Sequence, residues 1–261
     1  MAKERLDKLL AGQGTISRKE IKALIKKGNV QVNGEVCLLP ERKIDPEEDK
    51  IEISGALLNF KRHVYIMMHK PPGVLSATND LRGKTVLDLV PEALKRKGLF
   101  PAGRLDKDTE GLLLLTDDGD FAHRMLSPRE KVYKRYEARV DKPITEDTVR
   151  AFEQGVVFAD GTKCMPARLT ACGEDKTHVQ VEICQGMFHQ VKKMFLCCGL
   201  RVLFLKRTAI GGLVLDGNLH KGQCRELTKR EVEAVFISKM PYNSKLHFAG
   251  YRIYIKCRSH I

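Results

Sequence analysis

Four consecutive leucines, residues 112–115, constrain this chain more than any other stretch. The run is too short for a buried helix and is bounded by turn signals, so it predicts a strand covered on both faces. Acids bracket it: residues 103–120, GRLDKDTEGLLLLTDDGD, hold six. They belong at the strand's two ends, in loops and caps. Asp117, Asp118 and Asp120 are expected as turn and N-cap residues, with Asp118 or Asp120 opening a short helix through Phe121–Leu126 that Ser127-Pro128 stops. Gly103-Arg104-Leu105-Asp106 is expected to be loop, and a loop at the end of a buried strand can project a carboxylate into a cleft. From the residues alone, Arg104 and Asp106 read equally as a structural ion pair or as part of a site.

Other segments build the same unit. VYIMM (64–68) is a buried strand candidate followed by a sharp loop at Lys70-Pro71-Pro72-Gly73. KVYKRYEARV (131–140) alternates as a strand, with Val132, Tyr136, Ala138 and Val140 on one face. Lys134 shares that face, either snorkelling at a sheet edge or standing with Tyr136 in a site. HQVKKMFLCCG (189–199) opens a helix whose apolar stripe is Val191, Met194, Phe195 and Cys198, with Gly199 just past its end. Lys192 flanks the stripe and Lys193 points away. Residues 189–230 hold nine basic and two acidic residues, a second basic surface.

Residues 1–55 read as a separate, smaller module. Ser17-Arg18-Lys19-Glu20 is a capping box, and Ile16 with Ile21 is expected to form a hydrophobic staple. Ile21, Leu24 and Ile25 give a helical apolar face ended by Gly28, and VQVNGEV (30–36) is a hairpin around Asn33-Gly34. Arg18, Lys19, Lys22 and Lys26 fall on the opposite side of that helix, where they can meet phosphates or simply face water. Residues 56–63 are the expected linker, 64–240 the main domain, and 241–261 a basic tail with no assigned role.

The chain carries 46 Lys plus Arg against 33 Asp plus Glu, a net charge of +13, which favours a polyanionic partner, nucleic acid before an anionic membrane. No apolar run approaches the roughly 20 residues that cross a bilayer, and the charged start lacks a signal peptide's apolar core. A cytoplasmic monomer is expected. The eight cysteines show no C-x-x-C spacing, so neither a zinc site nor a disulfide framework is expected.

Two resemblances emerge from these motifs. RLDKLL, the basic helix from Ser17 and VQVNG, in that order, resemble the S4 domain, a small RNA-binding module. HKPPG, GRLDKDTEGLLLLTDDGDFAHRMLSP, the strand KRY, GMFHQVKKMF and IGGLVLD together resemble bacterial rRNA pseudouridine synthases that carry an N-terminal S4 domain. HQVKKMF and the ending GNLHKGQCRELTKREV are most similar to the small-subunit group, named for uridine 516 of 16S rRNA. Alternatives are a 23S rRNA pseudouridine synthase and a non-catalytic S4-type ribosome-assembly factor. A metal-dependent phosphodiesterase built on Asp106, Asp108 and Asp117 is a more distant rival.

The resemblance implies an α+β fold: a small S4 domain, then a domain with a mixed, mainly antiparallel sheet, flanking helices and a central cleft. It implies that Asp106 is the catalytic aspartate, that Tyr136 is the family's tyrosine and that Lys192 is its basic residue. Arg104, Lys134, His189 and Gln190 are expected to contact the substrate. Arg18, Lys19, Lys22, Lys26 and Lys193 are expected to bind RNA, with ribosomal RNA of the small subunit or an assembly intermediate as partner. Gln185 and Met187 depart from the family's pattern, where an acid and a base are expected. The chemistry needs no metal and no cofactor. Uridine is detached at N1 and rejoined through C5, and a carboxylate can add at C1′ or C6 and leave again. The target nucleotide must leave its stack.

Overall fold

The computed structural model describes residues 3–14, 16–46 and 48–237, so the expected tail at 241–261 and the end of the main domain lie outside the described residues. The chain begins with β1 (Glu4–Arg5), α1 (Leu6–Ala11), α2 (Arg18–Lys26), β2 (Val30–Val32), β3 (Glu35–Val36), β4 (Lys43–Ile44), β5 (Ile51–Ile53) and β6 (Ala56–Leu57). The capping box starts α2: Ser17 Oγ accepts from the Glu20 amide, and Glu20 Oε2 accepts from the Ser17 amide at 2.9 Å, an arrangement that contributes about 1 kcal/mol. Ile21 and Ile25 are buried and Leu24 partly so, against Leu6, Leu10, Val32 and Ile44. The expected staple is not made. Ile16 stays 49% exposed, outside that core. Asn33 and Gly34 both take positive φ, 56° and 84°, which lets a two-residue turn match the right-handed twist of β2 and β3.

The sheet of the small unit, in the order β3-β2-β5-β6, runs past the expected boundary at residue 55, because Ala56 and Leu57 pair with β5. Leu58 and Phe60 then pack on the same core. The connection is therefore shorter than residues 56–63, and it is pinned. The Gln13 side-chain amide pairs with both the amide and the carbonyl of Lys61. Arg96 donates to the Lys61 and Arg62 carbonyls at 2.7 and 2.9 Å.

The larger unit contains β7 (Tyr65–Lys70), β8 (Phe100–Pro101), β9 (Glu110–Thr116), α3 (Gly119–Leu126), β10 (Lys134–Val140), α4 (Glu146–Gln154), β11 (Arg168–Ala171), β12 (His178–Ile183), α5 (Gln190–Cys197), β13 (Val202–Ile210), β14 (Leu213–Val214), β15 (Cys224–Glu226) and α6 (Lys229–Ala234). One sheet runs β11-β12-β10-β13-β9-β7-β15, with β14 on β13 and β8 on β9. All these pairs are antiparallel except β9 with β13, giving the mixed, mainly antiparallel α+β fold expected.

The leucine run explains itself here. Every residue of β9 is buried. Leu113 and Leu115 enter one core with Phe152 and Phe195, while Leu112 and Leu114 enter a second with Phe121 and Ile210. With a side-chain period of two, a strand serving two cores must be apolar at every position. Gly111 is required where β9 meets β13: its φ is +110°, and a Cβ there would lie 2.2 Å from the Arg207 carbonyl oxygen.

Asp118 is the N-cap of α3, accepting from the Phe121 amide at 3.0 Å. Asp117 is more than the turn residue expected. Its carboxylate holds Arg96 at 3.0 Å, the Val64 amide at 2.9 Å and His63 at 3.4 Å, tying the entry of β7 to the exit of β9. The strand expected from residue 131 starts only at Lys134, because Lys131 takes φ 50°; Val132 is buried but precedes the strand. The seven described cysteines are free. Among the described residues, no helix is long and apolar enough to cross a membrane.

Candidate active site

A cleft of about 770 Å³ opens beside the end of β9 and is lined by Arg104, Asp106, Lys134, Tyr136, His189 and Lys192, among others. Asp106 stands on the loop between β8 and β9. That loop is held along its length. Ser76 Oγ donates to the Leu105 carbonyl at 2.8 Å and accepts from the Leu105 amide at 3.1 Å. The Gly73 amide donates to the Lys107 carbonyl at 2.7 Å.

Lys70, at the end of β7, closes the arrangement. It is fully buried, and its Nζ reaches the carbonyls of Pro71, Asp106, Lys107 and Thr109 at 2.9–3.3 Å. Burial pushes this ammonium down to about 8, against the pull of Asp108 and Asp106. An ammonium donates three hydrogen bonds and four carbonyls lie within its reach, so this one cation gathers the Pro71 carbonyl and those of Asp106, Lys107 and Thr109 around a single point. Sequence reading did not assign Lys70 to the site. The signal available was a lysine at the end of an apolar strand, directly before Pro71-Pro72.

The Asp106 carboxylate faces α5. Lys192 Nζ is 3.2 Å from its Oδ2, and His189 Nε2 is 3.5 Å from its Oδ1. Lys192 also donates to Asp108, whose carboxyl it holds below the usual range. His189 takes φ 54° ahead of α5 and stacks on Phe188 with ring centroids 3.8 Å apart. The structural ion pair of Arg104 with Asp106 is not formed; Arg104 is exposed on the cleft rim. Asp106 is paired with Lys192 and His189 instead.

Tyr136 is buried on β10. A bulge at Thr208 shifts the β10–β13 register and brings Arg207 opposite it. Arg207 Nη1 donates to Tyr136 Oη at 3.4 Å, and its Nε donates to the Leu112 carbonyl at 2.7 Å. Arg207 is a second residue that sequence reading left out. Lys134 does not snorkel: it lies between β12 and β13 and donates to the Met125 carbonyl at 3.1 Å. Burial, then the nearby Arg207, pushes its ammonium down to about 8.

Gln190 departs from expectation. It lines the cleft, but its Oε1 accepts from the Met187 amide at 2.9 Å and its Nε2 lies against Met194 Sδ. It holds the loop ahead of α5 rather than offering a free polar group. Gln185 does similar work, accepting from the Met165 amide. Lys193 lies outside the cleft lining, with Nζ over the Phe188 and Phe158 rings.

The basic face of α2 also divides. Arg18 makes a two-point contact with Asp7 at 2.9 and 3.1 Å, Arg5 makes another, and Lys22 lies 3.8 Å away. Asp7 is buried. Burial alone would raise its pKa, but hydrogen bonds from Arg18 and Arg5 hold it down at about 2. Arg18 and Lys22 are thus partly neutralised within the small unit, and Lys19 and Lys26 are the freer cations. Asp117 sits in its own cluster with Arg96 and His63, so the three aspartates considered for a metal centre are not together. Among the described residues, no group of three His, Cys, Asp or Glu side chains is placed to hold a metal ion.

The arrangement offers an anchored carboxylate flanked by the Lys192 ammonium and the His189 imidazole, with a buried phenol and two buried cations in one cleft. Residues 64–196 match the RNA pseudouridylate synthase family and residues 4–51 match the S4 domain. An uncharacterized RNA pseudouridine synthase of Bacillus subtilis is 43% identical over 87% of this chain and 96% of its own. The ribosomal large subunit pseudouridine synthase B of Bacillus subtilis is 39% identical over 88% of this chain and 94% of its own. The ribosomal small subunit pseudouridine synthase A of Escherichia coli is 38% identical over 88% and 99%. A crystal structure of a pseudouridylate synthase superposes with a TM-score of 0.62 at 34% identity, covering 89% of this chain and 99% of that one.

Proposed function

This chain belongs to the RNA pseudouridylate synthase family, carrying an S4 domain ahead of the catalytic unit, and on that premise we propose that it isomerises one uridine of ribosomal RNA, the small-subunit uridine named 516. The carrying observation is the Asp106 carboxylate, fixed on a backbone that Lys70 and Ser76 hold and facing Lys192 inside the cleft. In this reading Asp106 is the nucleophile that adds to C1′ or C6 and later leaves. Lys192 supports its charge, Tyr136 meets the uracil ring, and Arg104 and His189 meet the nucleotide at the rim. Lys19 and Lys26, with Arg18, Lys22 and Lys193 behind them, meet phosphates.

The small-subunit assignment rests on the HQVKKMF segment and the ending GNLHKGQCRELTKREV. A large-subunit target is the second reading, favoured by the 39% identity to the large-subunit enzyme. A non-catalytic assembly factor has no use for a carboxylate fixed in this way. Mapping pseudouridines in the rRNA of a strain lacking the protein separates these. The expected result is loss of one site, in small-subunit rRNA, restored by the wild-type gene. Loss confined to large-subunit rRNA transfers the assignment to the second reading. Loss of no site overturns the rRNA assignment.

A further inference from the structure

The cleft contains two buried cations that no carboxylate among the described residues neutralises. Lys134 is 4% exposed and Arg207 5% exposed, and neither forms an ion pair among the described residues. Lys134 Nζ uses one of its three donors, on the Met125 carbonyl. Arg207 engages Nε and Nη1, but its Nη2 is buried with no partner among the described residues. Unmatched charged donors in a dry site are strongly unfavourable unless a ligand supplies acceptors. Lys70 shows the contrast: it too is buried, but four carbonyls surround it.

The unmatched donors line the same cleft as Asp106, and Arg207 stands directly opposite Tyr136 in the sheet. We propose that Lys134 and Arg207 form a seat for the ring oxygens of the target uracil, where they stabilise the negative charge that develops on O2 and O4 during isomerisation. This rests on the reaction proposed above. If the carboxylate attacks C1′, the C1′–N1 bond breaks with its electron pair passing to the ring, and charge spreads over N1, O2 and O4. If it attacks C6, the electron pair of the C5–C6 double bond moves onto C5 and O4. On either route the C1′–N1 bond is broken, C5 of the turned ring bonds to C1′, the carboxylate leaves, the C5 proton is lost and N1 gains a proton, so the product is an isomer with no external oxidant or reductant. A backbone phosphate is the weaker occupant. Arg104 and Lys107 stand exposed on the rim, where a phosphate can reach cations without entering the buried site, and the flat Tyr136 ring beside Arg207 suits a planar base.

The test compares two probes of one shape on the full chain by calorimetry at neutral pH: uracil, which is neutral, and barbiturate, which is anionic. Wild type is expected to bind barbiturate about tenfold more tightly. Lys134→Met and Arg207→Met should each lose most of that preference. Each should also lower the single-turnover rate on RNA by about a hundredfold while leaving RNA affinity unchanged. Arg207→Lys, which keeps the charge, should keep the preference. Barbiturate bound no better than uracil by wild type overturns the seat, and that comparison requires no variant to fold. A preference that survives both Met substitutions also overturns it. So does a fall in RNA affinity with a flattened salt dependence and an intact rate for bound RNA, which would make the pair a phosphate contact. If wild type prefers barbiturate yet modifies no RNA, the seat stands and the proposed reaction falls.

Discussion

Lys192 Nζ lies 3.2 Å from Asp106 Oδ2 and also donates to Asp108, so one ammonium from α5 is shared between two carboxylates on the loop ahead of β9. The loop is fixed from behind by Lys70 and α5 faces it from across the cleft, which sets the Asp106 carboxylate between a rigid backbone and a cation. Asp108 is the more exposed of the two acids, and water screens its contact with Lys192.

Asp106→Asn should lower pseudouridine formation by at least about a hundredfold while RNA affinity stays within about twofold. The amide keeps the shape but cannot act as nucleophile. Single-turnover assays with a parallel binding titration check this, and turnover within tenfold of wild type would remove Asp106 from the role of nucleophile.

Lys192→Met and Lys193→Met separate chemistry from grip. Lys192 faces Asp106, whereas Lys193 lies over the Phe188 and Phe158 rings outside the cleft lining. The first variant is expected to slow turnover of bound RNA by about tenfold or more, and the second to change only affinity. Equal effects of both on binding alone would make Lys192 a phosphate contact.

In the small unit, Lys19→Ala with Lys26→Ala should flatten the salt dependence of RNA binding by about one to two units of slope and leave thermal stability unchanged. Arg18→Ala should behave differently. It removes a two-point partner from buried Asp7 and should cost about 1 kcal/mol. Because Asp7 is held at about 2, its contribution is complete above the unfolded carboxylate value of about 4 and is lost as pH falls toward 2. The Arg18 variant should therefore unfold at a higher pH on acidification, read by circular dichroism. An unchanged acid transition would show that Arg5 alone suffices.

Lys134→Met should be more stable than wild type near pH 7, by about 1–3 kcal/mol, and the gap should shrink toward pH 10. Burial depresses the Lys134 ammonium to about 8 in the fold, against about 10.4 in the unfolded chain. Between those values the unfolded chain binds more protons, so wild-type stability rises with pH; below about 8 both states are protonated and the full cost of the buried charge remains. Urea unfolding of both proteins at the two pH values measures the gap, and a gap independent of pH would contradict the assignment.

What the sequence determined by itself was what local chemistry dictates. The capping box at Ser17, the turn at Asn33-Gly34, the N-cap at Asp118 and the stripe of α5 depend on residues within about four positions of each other, where caps and periodicity act. The leucine run required cover on both faces without naming the two cores that supply it. Asp106, Tyr136 and Lys192 were legible through family motifs, not through periodicity.

Tertiary structure decided which charges work together. Lys70 reaches its carbonyls, Arg207 reaches Tyr136 and Arg18 reaches Asp7 across sequence separations that no local rule spans. Whether a basic residue meets solvent, a backbone cage or a buried carboxylate depends on which strands pair and in what register. Here that outcome turned on a glycine that lets β9 approach β13 and on one bulge that sets Arg207 opposite Tyr136. Electrostatic energy in a dry interior is set by distances between residues far apart in the chain, so the same lysine or arginine in the sequence takes its role only after the sheet has formed.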